Sequence, residues 1–424
     1  MSCVNPGVPL RTQMLQSDLY PIKKLGEGTD GSVNLYGNRR DSSNLVAVKG
    51  PGTGREWGRR QLRRELYIMK TLTRCAQIVN VLGWDEFWLP VGPAIFYEYC
   101  ELGDVIQYRK KLMKCYPTVP EETIWKLFAD VAKGLDHLHN KMGMMHMDLK
   151  TENILVARPA GCKYGTIPIL PDFKITDLAR TTKYEHEKKY MCQGTWQFAP
   201  PFDEQFRVTP LSDVWSLGAT IQAFALNMMP TMGKEGFEGF WKEHHKHLIE
   251  KTKYHPPNRQ DYWNRYRPVI FRPLNLTAEQ QMYVFNWKDK FMTVPQYCNA
   301  LNRWYSLCMQ DERSRINSAD LVRWMVPNAE MHIRILSAKR EVERRNRIQR
   351  EYQKAMAEVA RLTKLTDQVP ASGQRFYTNP SGEPRIVGPE GFSFDINSKE
   401  AHLYPERQES QKEREDSLWK EKRR

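Results

Sequence analysis

The chain has 424 residues, 40% of them hydrophobic and 27% charged, with a formal net charge of +14 at pH 7 and a pI near 9.3. That length supports one large domain or two ordinary ones around a substantial apolar core, and no run approaches the roughly 18 apolar residues of a membrane span. The basic excess points to acidic surfaces (nucleic acid, anionic lipid or phosphoprotein) without choosing among them, and eight cysteines without metal or framework spacing read as reduced thiols in a cytoplasmic or nuclear protein.

Residues 1–18 read as a flexible lead. MSCVNPGVPLRTQMLQ has no basic region followed by an apolar core, so no secretory signal is expected. From Leu19 on, YPIKKLGEGTDGSVNLYGNRRDSSNLVAVKG gives two strand-like runs around a glycine turn, and a second turn leads into a Val-Ala-Val strand. Gly26, Gly28 and Gly31 form G-x-G-x-x-G ahead of Val33, and residues without a Cβ let backbone N–H groups close over phosphates. A dinucleotide-binding fold would need a single strand before the triplet, a helix after it and an acidic residue about 20 positions on. Here Ser32-Val33-Asn34-Leu35 continues as strand, and Lys49 follows in VAVK.

Residues 54–72 have helical period, with Leu62, Leu66 and Met69 on one face. Glu65 lies among arginines there, and taken alone it would be a solvated charge relieving Arg63 and Arg64. IVNVLG (78–83) and AIFYEY (94–99) add two strands, and 120–140, opened by Pro120 and two glutamates, is a helix with apolar residues from Ile124 to Leu138. His137 and His139 at its end take ordinary structural readings.

The chemistry concentrates in HMDLKTENILV (146–156) and ITDLA (175–179), where Asp148, Lys150, Asn153 and Asp177 offer a base-like carboxylate, an ammonium, an amide and a metal-seeking carboxylate. Phosphoryl transfer from a magnesium–nucleotide complex needs that set. With the glycine loop, Lys49 and Glu65 upstream, and Asp213 in LSDVWSLGATIQ downstream, residues 19–327 resemble the eukaryotic protein kinase family, Ser/Thr type.

The resemblance implies an α+β, bilobal fold, with a small antiparallel β lobe (19–100) and a large helical lobe (101–327), binding ATP and Mg²⁺. Glu65 becomes the glutamate that holds Lys49, and Lys49 the residue against the α and β phosphates. Leu25, Gly26, Gly28, Gly31, Val33, Ala47 and Leu155 would line the nucleotide site, with backbone groups of Glu98 and Cys100 at the hinge and Tyr97 narrowing any back pocket. Asn153 and Asp177 would hold Mg²⁺. Asp148 would take the acceptor hydroxyl, Lys150 would steady the γ phosphate, and Thr195 would brace both and favour a Ser/Thr acceptor on a protein substrate. Asp213 would tie down the catalytic-loop backbone.

Three motifs depart from the family pattern. Met147 replaces the Arg that clasps a phosphorylated activation segment, so activity independent of that clasp is expected, even with Thr181, Thr182 or Tyr184 open to modification. Leu178 and Ala179 stand for Phe and Gly, the alanine limiting backbone freedom beside Asp177. Ala199-Pro200 is followed by Pro201 where the family has the Glu that pairs with an Arg, here Arg315; Glu204, one turn later, is the candidate substitute. None of these removes a group that takes part in the phosphoryl transfer itself, so an enzyme is expected. The competing reading is a nucleotide-binding pseudokinase scaffold.

The excursion 157–172 reads as a surface loop, and 223–300 as an enlarged, aromatic insertion that could dock a partner. Beyond 327, a helical arm and extended segment (328–395) precede a charged tail (396–424) expected to be disordered. Within the arm, 335–365 alternates apolar residues at Ile348, Tyr352, Ala355, Val359 and Leu362 with charge. It suits packing on the lobe or docking a partner. Its basic cluster, Lys339 to Arg350, lacks aromatic interleaving, so nucleic-acid binding is not expected.

Overall fold

The computed structural model describes residues 16–367, apart from 29–30, 42–43, 52–55, 90–91, 164, 288–291 and, save for 246, 247 and 250, 232–268. Beyond 367 it describes the short strands 376–378, 384–387 and 393–395. Two compact units emerge, Met1–Glu341 and Val342–Arg424.

The first unit opens with five antiparallel strands in the order β1-β2-β3-β5-β4: β1 (Leu19–Gly28), β2 (Gly31–Asn38), β3 (Leu45–Gly50), β4 (Val81–Asp85) and β5 (Ala94–Glu98). β-branched and aromatic residues carry these strands. The β1–β2 register runs from Leu19 opposite Asn38 to Gly28 opposite Gly31, so the glycines fall at the hairpin end. Helix α1 (Glu56–Thr71) buries Leu62, Leu66 and Met69, and Glu65 shares that face.

Gly103–Asp104 (β6) then starts the helical part, with α2 (Val105–Cys115) capped by the Asp104 carboxylate on the Gln107 N–H. Helix α3 (Glu121–Asp136) is buried on nearly every side and sits in the core, ending in a single π turn at His137–Lys141. Three pairs of short strands frame the chemistry-bearing loops: β7 (Met144–Met145), β8 (Ile154–Ala157), β9 (Asp172–Ile175) and β10 (Thr182–Lys183) pair as β6–β8, β8–β9 and β7–β10. Helix α4 (Pro210–Leu226) is buried along almost its whole length and starts with a capping box between Thr209 and Ser212. Helices α5 (Ala278–Val284) and α6 (Asn299–Cys308) follow. A single turn at Ser318–Asp320 and a π turn at Leu321–Met325 run directly into α7 (Val326–Asp367).

Several expectations change here. The lead is ordered at its last residues: Gln16–Asp18 form a 3₁₀ turn whose Gln16 amide exchanges hydrogen bonds with the Leu89 backbone. The excursion after β8 is pinned to its surroundings. Tyr108 donates to the Pro168 carbonyl and Thr123 to that of Ile169, while Arg158 reaches Glu101 and the Lys163 carbonyl. The arm has no separate start at 328, because α7 continues the last helix of the domain. Val326 and Ala329 are buried, and Arg340 donates to Glu122 of α3 at 2.6 Å, so the first unit extends to Glu341. Along 342–362 the apolar residues Ile348, Tyr352, Val359 and Leu362 are exposed. The second unit carries a three-stranded antiparallel sheet, Phe376–Thr378, Pro384–Val387 and Ser393–Asp395. About half of the insertion 223–300 and all of 396–424 lie outside the described residues.

Candidate active site

A cleft of about 560 Å³ is lined by residues from β1, β2, β3 and β5 on one side and from the loops around β8 and β9 on the other. Gly31 crosses the Gly50 carbonyl so closely that a Cβ would stand 2.2 Å from that oxygen; at Gly26 and Gly28 a Cβ would meet nothing within 4 Å, so those backbones face open space. Cys100, past the end of β5, lines the cleft, and its N–H has no hydrogen-bond partner among the described residues. Its neighbour Glu98 is held sideways, both carboxylate oxygens 2.7 Å from the Lys174 ammonium.

Lys49 stands on β3 opposite Glu65 of α1. Its Nζ donates to Glu65 Oε2 at 2.6 Å and to Asp177 Oδ1 at 2.8 Å. Burial by itself would lower the Lys49 pKa, but the two carboxylates raise it above the ordinary lysine value. Burial raises Glu65 against the opposing pull of Lys49, whereas Asp177, despite its own burial, is lowered by Lys49. The Tyr97 hydroxyl donates to the second oxygen, Glu65 Oε1, at 2.7 Å. Tyr97 thus does more than narrow a back pocket: it completes the coordination of the glutamate.

The stretch 146–156 is held from beneath. Asp213 of α4 accepts from the His146 N–H at 2.7 Å and the Met147 N–H at 2.9 Å, and its other partner is His139 at 2.9 Å. Burial opposes ionisation of Asp213, yet the His139 hydrogen bond brings its pKa below the ordinary aspartate value. Met147 sits at φ +67°, a left-handed conformation costly for a side-chain-bearing residue, and these two bonds hold it there. His146 is buried between the Thr176 carbonyl on Nε2 and the Asp148 N–H on Nδ1, so Nε2 carries the proton.

Asp148 Oδ1 accepts from both the Thr195 N–H (2.7 Å) and its hydroxyl (2.9 Å), while Lys150 Nζ donates to the same hydroxyl at 2.8 Å. Gly194 permits this approach, since a Cβ there would lie 2.5 Å from the Met147 carbonyl oxygen. Asp148 Oδ2 is turned the other way, 3.4 Å from Lys150 Nζ and 3.6 Å from Arg180 Nε. Asn153 Nδ2 donates to the Asp148 carbonyl at 2.8 Å, which leaves its amide oxygen as the free acceptor. Asp177 Oδ2 likewise has no protein donor among the described residues, so the two oxygens fit a hard divalent cation.

Of the residues expected from sequence, Leu25, Gly26, Gly28, Gly31, Val33, Ala47, Lys49, Glu98, Cys100, Asp148, Lys150, Asn153, Leu155 and Asp177 all line the one cleft. Glu65 lies behind Lys49, and Thr195 faces a smaller hollow on the far side of Asp148. The departures resolve locally. Ala179 occupies a 3₁₀ turn, Leu178–Arg180, and the left-handed φ (+60°) falls on Asp177 instead, so the alanine methyl meets no conformational penalty. Leu178 is buried in the same apolar cluster as Met69. Glu204 takes Arg315 at 2.8 and 2.9 Å. Thr181 is fully buried, which removes it from the set of modifiable hydroxyls. One participant was missed: Arg180 had no motif to mark it, and only the chain path brings it to Asp148. Tyr97 was expected at the back pocket, but its bond to Glu65 also comes from the chain path.

A two-lobed fold with a glycine hairpin over a Lys–Glu–Asp triad, and an anchored Asp-x-Lys-x-x-Asn loop below it, defines a nucleotide-dependent phosphotransferase architecture. The sequence matches the protein kinase domain over residues 20–324, and the chain belongs to that family. Similar proteins include the serine/threonine-protein kinase CST20 of Candida albicans, 28% identical over 51% of this chain and 16% of its own length. The dual specificity mitogen-activated protein kinase kinase 1 of Dictyostelium discoideum is 30% identical over 50% of this chain and 30% of its own length. The mitogen-activated protein kinase kinase SIPKK of Nicotiana tabacum is 24% identical over 74% of this chain and 75% of its own length. The matches to the first two cover less than a third of those relatives.

Proposed function

We propose that this chain is an ATP-dependent serine/threonine protein kinase. The observation that carries the reading is Asp148: one oxygen is fixed by Thr195 and the other left toward the cleft, 3.4 Å from Lys150. An acceptor hydroxyl beside Oδ2 gives its proton to Asp148 as its oxygen bonds the γ-phosphorus. The bond from that phosphorus to the β-phosphate oxygen breaks, and ADP leaves. Lys49, fixed by Glu65, orients the α and β phosphates, and Lys150 faces the γ phosphate. Asp177 Oδ2 and the Asn153 amide oxygen would hold Mg²⁺, which would supply positive charge against the charge that develops on the phosphoryl group. The free Cys100 N–H suits a purine acceptor. The hydroxyl of Thr195 ties the substrate side of the site to Asp148 and Lys150, which favours a Ser/Thr acceptor on a protein.

Activity here does not wait for the usual activation-segment phosphate. Met147 cannot attract phosphate, and Arg180 supplies a substitute link: its guanidinium donates to the Gln193 carbonyl and stands 3.6 Å from Asp148. The two ends of the segment are thereby joined at the base without a phosphate. The exposed apolar residues of α7 between Ile348 and Leu362 support a docking role for the 335–365 stretch, in a cytoplasmic or nuclear setting. The test is phosphate transfer from Mg-ATP to a basic test protein by the purified full chain. Transfer that disappears in Asp148→Asn and persists in Thr182→Ala/Tyr184→Phe supports the reading; nucleotide binding without turnover sinks it.

A further inference from the structure

Away from the cleft, a carboxylate, a thiol and an imidazole that phosphoryl transfer does not use come together on the large lobe. Glu121 is the first residue of α3, Cys298 caps α6, and His332 lies in the second turn of α7. One ligand atom from each lies within 4.8 Å of the other two. All three belong to the first compact unit and are partly buried. We propose that Glu121, Cys298 and His332 form a binding site for a borderline-soft divalent cation, Zn²⁺ by class, with the fourth position taken by water.

The surroundings orient each ligand without consuming it. Trp125 Nε1–H donates to Glu121 Oε1 at 3.1 Å, and the Cys298 N–H donates to Glu121 Oε2 at 3.0 Å. Each carboxylate oxygen keeps a second lone pair. Outer-shell donors of this kind fix the direction of a ligating carboxylate. Cys298 Sγ accepts from the Leu301 N–H at 3.4 Å, which fixes its direction at the start of α6. His332 lies flat on the Trp125 indole, centroids 5.0 Å apart and planes 10° from parallel. Neither of its ring nitrogens has a hydrogen-bond partner among the described residues. An imidazole with its plane fixed and both nitrogens unused, beside a thiol and a carboxylate, is an arrangement that a metal ion completes.

The donor set selects the ion. One thiolate, one imidazole and one carboxylate suit tetrahedral zinc, whereas Mg²⁺ and Ca²⁺ prefer all-oxygen shells. Ligand atoms around tetrahedral zinc stand roughly 3.3–3.6 Å apart, from bond lengths of about 2.0–2.3 Å, so small side-chain rotations close the site. On binding, the Cys298 S–H proton passes to solvent and a Zn–S bond forms; no oxidation occurs. The ion would then join the starts of α3 and α6 to α7, a structural link in which no part of the ATP site takes part.

The test uses the full chain, stripped with chelator, dialysed and titrated with Co²⁺ and then Zn²⁺ in the absence of nucleotide. We expect one equivalent of Co²⁺ to give a thiolate-to-cobalt charge-transfer band with tetrahedral visible bands, displaced by one equivalent of Zn²⁺. Cobalt at Asp177 and Asn153 gives no such band, having no sulfur. Cys298→Ser should abolish the band, and His332→Gln should weaken zinc binding at least about tenfold, with helical circular dichroism unchanged. Zinc should raise the melting temperature of the wild type and not that of His332→Gln. Should Cys298→Ser fail to fold, Glu121→Gln and His332→Gln carry the test. A missing band, a band that survives in a folded Cys298→Ser, or zinc affinity unchanged in both Glu121→Gln and His332→Gln overturns the proposal.

Discussion

Replacing Glu204 with Gln tests how this chain compensates for Pro201. The Arg315 side chain is 0% exposed, and Glu204 is its one carboxylate partner among the described residues, with the glutamate side chain 13% exposed. Removing one member of a buried ion pair costs about 3–5 kcal/mol, because the remaining charge is left uncompensated. Arg315 keeps the Gln310 and Leu211 carbonyls as acceptors and the Trp215 ring 5.0 Å from its guanidinium carbon, so the low end, about 3 kcal/mol, is expected. In a domain of this size that is a fall of about 6 °C in melting temperature, at about 2 °C per kcal/mol. Urea titration and calorimetry of the wild type, Glu204→Gln, Arg315→Met and the double variant would measure it. The double variant should be less destabilised than the sum of the singles, since together they remove both charges. If Glu204→Gln lies within about 0.5 kcal/mol of the wild type, the pair is not what holds this corner.

Other perturbations read separate parts of the site. Thr181→Val removes a buried hydroxyl without a partner and should stabilise by about 1 kcal/mol in urea melts; destabilisation would mean that the hydroxyl is satisfied. Arg180→Ala should lower kcat about tenfold or more with little change in KM for ATP, and Arg180→Lys should restore part of it. Higher activity in Arg180→Ala would show that the guanidinium blocks Asp148 instead of linking the segment to it. Tyr97→Phe takes one hydrogen bond from a charged, buried Glu65 and should cost about 1.5–3 kcal/mol of stability, read as a lower urea midpoint. Asp213→Asn should destabilise at neutral pH. Because the folded-state pKa of Asp213 is depressed below 3.8, its ionisation contributes stability above that value and loses it as pH falls through the folded-state pKa. The gap between wild type and Asp213→Asn should therefore narrow on acidification below about pH 4, and a gap that widens there would contradict the assignment.

How far the sequence reached depended on whether a residue's partner was fixed by spacing or by path. The glycine hairpin, the amphipathic face of α1 that carries Glu65 with Leu62 and Met69, and Asp148-x-Lys150-x-x-Asn153 are local patterns. Their period and spacing place the groups on defined faces, and the α+β architecture is what the family resemblance carried by those patterns implies. Ala179 shows the limit of this reading. As a residue type it signals restricted backbone, but the structure shifts the left-handed conformation onto Asp177, and the restriction has no effect. The end of the domain shows another, since a helical period cannot mark where α7 passes from one compact unit to the next.

By itself, then, the sequence determined which chemical groups this protein possesses and the order in which the chain presents them, because helix and strand periods are short-range properties. Tertiary structure fixed Glu204, a candidate in the sequence, as the partner of Arg315, and alone decided the other pairings: Tyr97 with Glu65, Arg180 with Asp148, and Glu121 with Cys298 and His332. Each joins residues more than 30 positions apart, where distance in space is set by the packing of α1, α3, α4 and α7 and no local period carries the information.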